Sequence, residues 1–176
     1  MKIIIHKLQH QLISRFRSKD RNRQALNHIG VIDGDIYATD GRRCVKIKMN
    51  APIPDGTYRF FFEGSGNGDY FLFKEEYLFP NAKQIMPNFS ELVEVCKIIP
   101  RKNDGLMMMN CIIEVFEKTT RRINLSFLTD LDVGHEYSVL TKKGEEKKHD
   151  AYLYLRCESE DNLYGKPEVV LLPFNH

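Results

Sequence analysis

Three aspartates lie within one short stretch and could in principle ligate a cation: Asp33, Asp35 and Asp40. A calcium loop needs further oxygen ligands at fixed spacings, and these are absent here. Asp33 is followed by Gly34 between two apolar segments, which is the signal of a two-residue β-hairpin turn. The sequence therefore predicts a turn at this point, and no metal site.

Histidine and cysteine, the other common ligands, are scattered. His6 and His10 are four residues apart without the H-E-x-x-H motif, and we interpret them as a surface pair. The four cysteines show no C-x-x-C or paired spacing, so we expect reduced, mostly buried thiols. No cofactor is predicted.

Motifs for nucleophilic catalysis are absent. No G-x-S-x-G segment occurs, and no Ser or Cys is ordered with a His and an acid in a recognisable way. The glycine-rich run at residues 64–68 lacks the Lys-Ser/Thr pair of a phosphate-binding loop, so we expect a flexible hairpin loop there. The sequence predicts a protein that is not an enzyme, and an unrecognised enzyme is the weakest alternative.

Positive charge is concentrated in one segment. The chain has 26 Lys and Arg against 24 Asp and Glu, a formal net charge of +2, which is too small to indicate nucleic-acid binding by itself. Local asymmetry could still bind DNA, and the candidate residues are Arg15, Arg17, Lys19, Arg21 and Arg23. The alternative is a solvated helix end or loop.

Length and composition are typical of a globular protein that folds in water. The chain has 176 residues, of which 42% are hydrophobic and 28% charged. No apolar run approaches the ~20 residues that span a bilayer. The N-terminal segment lacks the apolar core and cleavage site of a signal peptide, so we expect a cytoplasmic protein without a membrane partner.

Hydrophobic periodicity predicts a strand-rich chain with two or three helices. Helices are expected from about Leu8 to Phe16, over residues 91–99 between Ser90 and Pro100, and over residues 123–131. A charged hairpin tip is expected at residues 142–150. Strands are predicted at residues 2–5, 29–32, 36–39, 44–49, 58–62, 70–73, 106–116, 137–140, 151–157 and 169–172.

Four ordered segments resemble the bacterial sliding clamp, the β subunit of DNA polymerase III. Residues 23–28 (RQALNH) and 38–43 (ATDGRR) are similar to its R-x-x-L-N-G…A-T-D-G-H-R-L region, and residues 79–87 (FPNAKQIMP) to its F-P-D-Y-R-R-V-L-P segment. Residues 123–128 (INLSFL) resemble F-N-x-x-Y-L, and residues 169–174 (VVLLPF) the terminal V-V-M-P-M. Their shared order carries the resemblance, because each match is short.

The resemblance implies an α+β DNA-clamp (processivity-fold) domain with antiparallel sheets and two or three helices, built from two β-α-β-β-β halves. The chain is about half the length of a family clamp, so a whole three-domain subunit cannot be present. We expect a single clamp-like domain over residues 1–176. The alternative is two truncated clamp domains, 1–78 and 79–176.

In the family these segments form an apolar pocket for short peptides of polymerases and repair proteins. Departures from the family pattern at Arg42, Cys44, Ala82 and Gln84 could change partner specificity, and the apolar members could equally be core residues. The resemblance implies a pocket formed by Thr39, Gly41, Arg42, Arg43, Cys44, Pro80, Gln84, Ile85, Val170, Leu172, Pro173 and Phe174.

The implied function is that of a clamp-like, non-enzymatic protein of DNA replication or repair. Expected partners are double-stranded DNA, bound without reading its sequence, and a peptide of a DNA polymerase or another replication or repair protein. The peptide would carry Gln and Leu or Phe anchors and bind beside Phe174; residues 11–16 loosely resemble one. A homo-oligomer is one expected assembly. The alternative is an interaction or regulatory protein of phage or mobile-element origin that keeps the fold without forming a ring.

Overall fold

The structure, a computed structural model, describes residues 4–49, 52–62, 70–131, 135–158 and 166–172. The chain divides into two compact units. The first contains the described residues as far as Ile85, together with 166–167. The second contains those from Met86 to Glu158, together with 168–172.

The first unit is an antiparallel sheet with one α-helix. Its strand order is β1-β6-β5-β2-β3-β4, so the β5–β6 hairpin lies between β1 and β2. The helix packs on β3 and β4 and buries Leu12, Ile13 and Phe16. The elements are β1 (Ile4–Ile5), α1 (Lys7–Phe16), β2 (Ile29–Ile32), β3 (Asp35–Thr39), β4 (Arg43–Ile47), β5 (Gly56–Phe62) and β6 (Tyr70–Glu75).

The second unit is a four-stranded antiparallel meander, in the order β10-β9-β8-β7, with two helices between its first two strands. Phe89, Leu140, Tyr154 and Val170 form one of its core clusters. The elements are β7 (Leu92–Ile98), α2 (Gly105–Thr119), α3 (Leu125–Asp130), β8 (Tyr137–Lys142), β9 (Leu153–Cys157) and β10 (Glu168–Leu171).

Most elements predicted from the sequence are present. The α+β class, the antiparallel sheets and the helices predicted at about Leu8 to Phe16 and over residues 123–131 are confirmed. The Asp33-Gly34 turn joins β2 to β3, with positive φ at both residues. All four cysteines are buried and none forms a disulfide. The glycine-rich run at residues 64–68 lies outside the described residues.

The helix predicted over residues 91–99 is wrong, because β7 occupies this segment. The helix cap predicted at Ser90 is not formed. Instead, the Asn88 side chain accepts the Ser90 N–H in a short 3-10 turn that ends at Glu91. Val93 and Val95 favour extended backbone, and β7 pairs with β8 along its length. Pairing with a neighbouring strand therefore outweighed the local capping signal.

The strand predicted over residues 106–116 is also wrong, because this segment lies in α2. Asp104 caps the helix by accepting the Met107 N–H at 3.0 Å, and Thr120 ends it in the left-handed region at φ 60°. The buried residues Met108, Cys111, Val115 and Thr119 recur at helical spacing. A run of this length also exceeds the usual strand.

Among the described residues, no helix combines the length and the apolar character needed to cross a bilayer.

Candidate functional site: the A-T-D-G loop and its neighbours

The loop from Thr39 to Arg43 joins β3 to β4 and is fixed by its own side chains. The Asp40 carboxylate accepts the backbone N–H groups of Arg42 at 2.9 Å and Arg43 at 3.1 Å. The Thr39 hydroxyl donates to the Arg43 carbonyl at 2.7 Å and accepts the Gly41 N–H at 3.0 Å. Gly41 adopts φ +89°, which a side chain would strain. The Arg42 side chain is left exposed at the tip.

Arg43 attaches this loop to α1. Its Nε donates to the Asp40 carboxylate at 2.9 Å, and its Nη2 donates to the Arg15 carbonyl at 2.7 Å. The guanidinium also lies over the Phe16 ring, 4.8 Å from its centroid, and only 9% of the side chain is exposed. Arg43 therefore positions the loop.

Cys44 follows the loop and is fully buried in β4. Burial, with a smaller contribution from Asp40, raises the pKa of its thiol to about 12. The thiol stays protonated at neutral pH, so Cys44 serves in packing and is not a nucleophile.

The segment that contains Phe79 and Pro80 runs alongside β2. The Tyr77 ring contacts the His28 ring at a tilt of 33° just before that strand, with ring centroids 4.8 Å apart. The Phe79 N–H donates to the Thr57 hydroxyl at 2.9 Å, while the Phe79 ring lies directly over Gly30. Lys83 then forms an ion pair with Asp33 beyond the end of β2.

The Lys83 side chain reaches the turn before β3, whereas the A-T-D-G loop lies at the other end of that strand. Phe79 lies between these ends, over Gly30, which pairs with Tyr37 in the middle of β3. A five-residue strand spans roughly 17 Å. Pro80, Gln84 and the 44%-exposed Ile85 are all accessible.

The remaining pocket residues belong to the second unit or are not described. Val170 is buried in the cluster with Phe89 and Tyr154, and Leu172 is half-buried. Pro173 and Phe174 lie outside the described residues.

The cationic segment is divided between structural and accessible side chains. Because α1 ends at Phe16, only Arg15 lies on the helix. Arg17 donates to the Asn27 carbonyl at 3.0 Å and lies over the Phe60 ring. Arg23 contacts the A-T-D-G loop, donating to the Asp40 carbonyl at 3.3 Å. Lys19, Arg21 and Arg23 are exposed.

The fold of the chain is similar to that of several solved protein structures. The chain matches the DNA polymerase III β subunit (DnaN sliding clamp) of Bartonella birtlesii over 100% of its own length and 66% of that chain, with TM-score 0.59 and 14% identity. The H. pylori β clamp matches with a TM-score of 0.61 and 9% identity, over 99% of this chain and 65% of the clamp. The Bacillus subtilis clamp matches with a TM-score of 0.56 and 13% identity, over 100% of this chain and 64% of the clamp.

The chain has the fold of a bacterial sliding clamp. The resemblance predicted from the sequence is thus confirmed at the level of the fold, and the match spans about two thirds of each clamp's length. No protein-family model matches the sequence, and no curated protein matches it.

The prediction that His6 and His10 are a surface pair is wrong for His10. His6 is exposed and accepts the Leu8 N–H at the start of α1. His10 is half-buried and stacks on Tyr70, with centroids 3.5 Å apart. Burial, followed by the charge of Arg17, lowers its pKa to about 4, so it is neutral near pH 7.

Within the described part of the chain, no group of three or more His, Cys, Asp or Glu residues could hold a metal ion.

An open cleft of about 490 Å³, which sequence reasoning missed, adjoins the Asp33-Gly34 turn of the clamp fold. It is lined by Asp33, Asp35, Asp55 and apolar residues including Pro52 and Ile53. Lys83 pairs with Asp33, and Lys46 lies 3.5 Å from the Asp35 carboxylate. These two carboxylates are therefore already neutralised by lysines within the protein.

Proposed function

We propose that this chain is a clamp-like, non-enzymatic binding protein of DNA replication or repair, acting in the cytoplasm. The observation that carries the proposal is the clamp fold over the full chain, which agrees with the order of the sequence segments. It binds a short peptide of a polymerase or other replication protein, and double-stranded DNA without sequence preference.

We also propose that each compact unit is a reduced clamp domain. The match extends along about two thirds of each clamp, and the division falls after Ile85, seven residues beyond Leu78. Each unit begins with a strand that leads into a helix, and further antiparallel strands follow, five in the first unit and three in the second.

The peptide is proposed to bind along the first unit between the A-T-D-G loop and Ile85. Six residues of extended peptide span ~20 Å, enough to reach from one end of β3 to the other. Arg42 and Gln84 offer polar contacts at the two ends, and Ile85 offers apolar surface.

Replacing Ile85 by alanine is expected to weaken binding of a labelled clamp-binding peptide by about 1–2 kcal/mol, because apolar contact area is lost. Fluorescence anisotropy with increasing protein measures the dissociation constant. Leu78→Ala is the matched control, since Leu78 is 90% exposed in the same unit but lies outside the proposed pocket. The proposed pocket would be rejected if the peptide showed no saturable binding to the folded wild type, or if both variants lost the same amount of peptide affinity.

Removing both Lys19 and Arg21 is expected to weaken DNA binding and flatten its salt dependence. Each phosphate contact contributes about 0.9 to the slope of log affinity against log salt, so the slope should fall by about 2. The readout is binding of labelled duplexes of two unrelated sequences at several salt concentrations. Lys142→Ala with Lys143→Ala removes the same charge from exposed positions elsewhere. An unchanged slope in the first variant would exclude this segment as the contact.

A second candidate is an interaction or regulatory protein that forms no ring, and one observation favours it. Clamp helices that face DNA would present Lys and Arg to the phosphates. α2 instead exposes Leu106, Met109, Ile113 and Phe116, which cannot neutralise phosphate charge.

A further inference from the structure

Helix α2 carries two separate apolar faces. One face packs on β7 and α3 within the second unit and contains Met108, Cys111, Val115 and Thr119. The other is open to solvent, with exposures of 73% for Leu106, 50% for Met109, 47% for Ile113 and 46% for Phe116. Contiguous exposed apolar surface is a recognised mark of protein interaction sites.

The exposed residues have the spacing of a coiled-coil seam. Steps of three, four and three residues separate Leu106, Met109, Ile113 and Phe116, which is the alternation of a and d positions over two heptads. At 100° per residue they occupy an arc of about 80° on one side of the helix. We define these four residues as the α2 stripe.

We propose that the α2 stripe binds the α2 stripe of a second copy of this chain, with the two helices antiparallel. The pattern is symmetric about position 111, so a twofold axis there would place Leu106 opposite Phe116 of the second copy. The same axis would place Met109 opposite Ile113 of the second copy. A twofold interface requires this reciprocity, in which residue i contacts j and j contacts i.

The residues beside the stripe favour the antiparallel direction. Asn110 and Glu117 lie along one edge, where antiparallel packing brings Asn110 near Glu117 of the second copy and pairs an amide donor with a carboxylate acceptor. Gly105 and Ile112 lie along the other edge, where the absence of a side chain at Gly105 leaves space for Ile112 of the second copy. Parallel packing would instead place Glu117 beside Ile112 and align the two helix dipoles unfavourably.

The expected complex is a weak dimer that dissociates on dilution. Two heptads of stripe form a small contact, and interfaces below ~1,200 Å² are generally transient. Packing on β7 and α3 already holds α2 in helical form, so association does not have to order it. The proposal is independent of DNA and peptide binding, and its tests contain neither ligand.

Sedimentation velocity of the full chain over a hundredfold concentration range tests the dimer. The wild type is expected to shift from monomer to dimer, and Ile113→Glu to remain monomeric because it places a charge within the seam. Met107→Glu introduces the same charge on the same helix outside the stripe, and should still form dimers. Circular dichroism establishes that both variants are folded. The proposal would be overturned if the wild type stayed monomeric at every concentration, or if both variants lost dimer formation to the same extent.

Disulfide formation tests the direction. The four native cysteines are buried, so the added thiols of Met109→Cys and Ile113→Cys are the accessible ones. Under mild oxidation, a mixture of these two variants should give cross-linked dimer, whereas each alone should give little, because antiparallel packing places position 109 opposite position 113. Disulfide geometry needs Cα atoms within ~7 Å, which excludes looser arrangements. Efficient cross-linking of each variant with itself would overturn the antiparallel arrangement.

Discussion

Replacing Arg121 by alanine is expected to lower the free energy of unfolding by about 3–5 kcal/mol. Only 1% of this residue is exposed, which is exceptional for arginine. Its Nε donates to the Lys148 carbonyl at 2.7 Å and its Nη1 to the Tyr152 carbonyl at 3.3 Å, while Nη2 donates to the Glu145 carbonyl. Alanine would leave these carbonyls without their donors and open a cavity.

The contacts of Arg121 explain why its loss should affect the whole second unit. The residue follows the C-terminus of α2, where the Thr120 hydroxyl also donates to the Lys147 carbonyl at 3.0 Å. Both residues bind the charged connection between β8 and β9. They therefore attach this connection to the end of the helix, across about 25–30 residues of sequence.

Urea unfolding followed by circular dichroism measures the change. Arg122→Ala is the matched control, because Arg122 is exposed and should lose less than about 0.5 kcal/mol. Arg121→Lys should fall between the two, since lysine keeps the charge but not the planar set of donors. Equal stability of the Arg121→Ala and Arg122→Ala variants would show that these hydrogen bonds contribute nothing net.

The sequence revealed features whose signals are local. The β2–β3 hairpin could be predicted because Asp33 and Gly34 supply the positive φ values that its turn needs. Helix α1 has a single apolar face, so the helical spacing of its apolar residues can be recognised in the sequence. Helix α2 could not be recognised in the same way, because apolar residues on both its faces hide the helical period within a continuous apolar run.

The sequence did not reveal the structural roles of the residues in the candidate site. The order of short segments pointed to the A-T-D-G loop and to Phe79. Nothing local distinguishes Arg42, which is exposed, from Arg43, whose role depends on the Arg15 carbonyl 28 residues earlier in the chain. Arg15 to Arg23 likewise appear equivalent in sequence, although packing on Phe60 makes Arg17 structural. Such differences arise from tertiary contacts.

Replacing Gly30 by alanine is expected to destabilise the first unit by about 1–3 kcal/mol, because the added methyl group would overlap the Phe79 ring. An ideal Cβ at Gly30 would lie 2.6 Å from Phe79 Cγ, closer than carbon atoms can approach. The backbone at Gly30 does not itself require glycine, since its φ lies outside the positive range. Steric overlap with one neighbouring ring is therefore the predicted cause.

A double-mutant cycle isolates that cause. Phe79→Ala alone should cost about 3–5 kcal/mol, the usual range for a buried phenylalanine. In the Phe79→Ala background, Gly30→Ala should be neutral or stabilising, because glycine within a strand costs ~0.5–1 kcal/mol relative to alanine. Urea unfolding of the four proteins gives the coupling energy, and an equal loss from Gly30→Ala in both backgrounds would rule out the overlap. Because Phe79 holds the segment that leads to Pro80 and Ile85, Gly30→Ala should also weaken the proposed peptide binding when measured on folded protein.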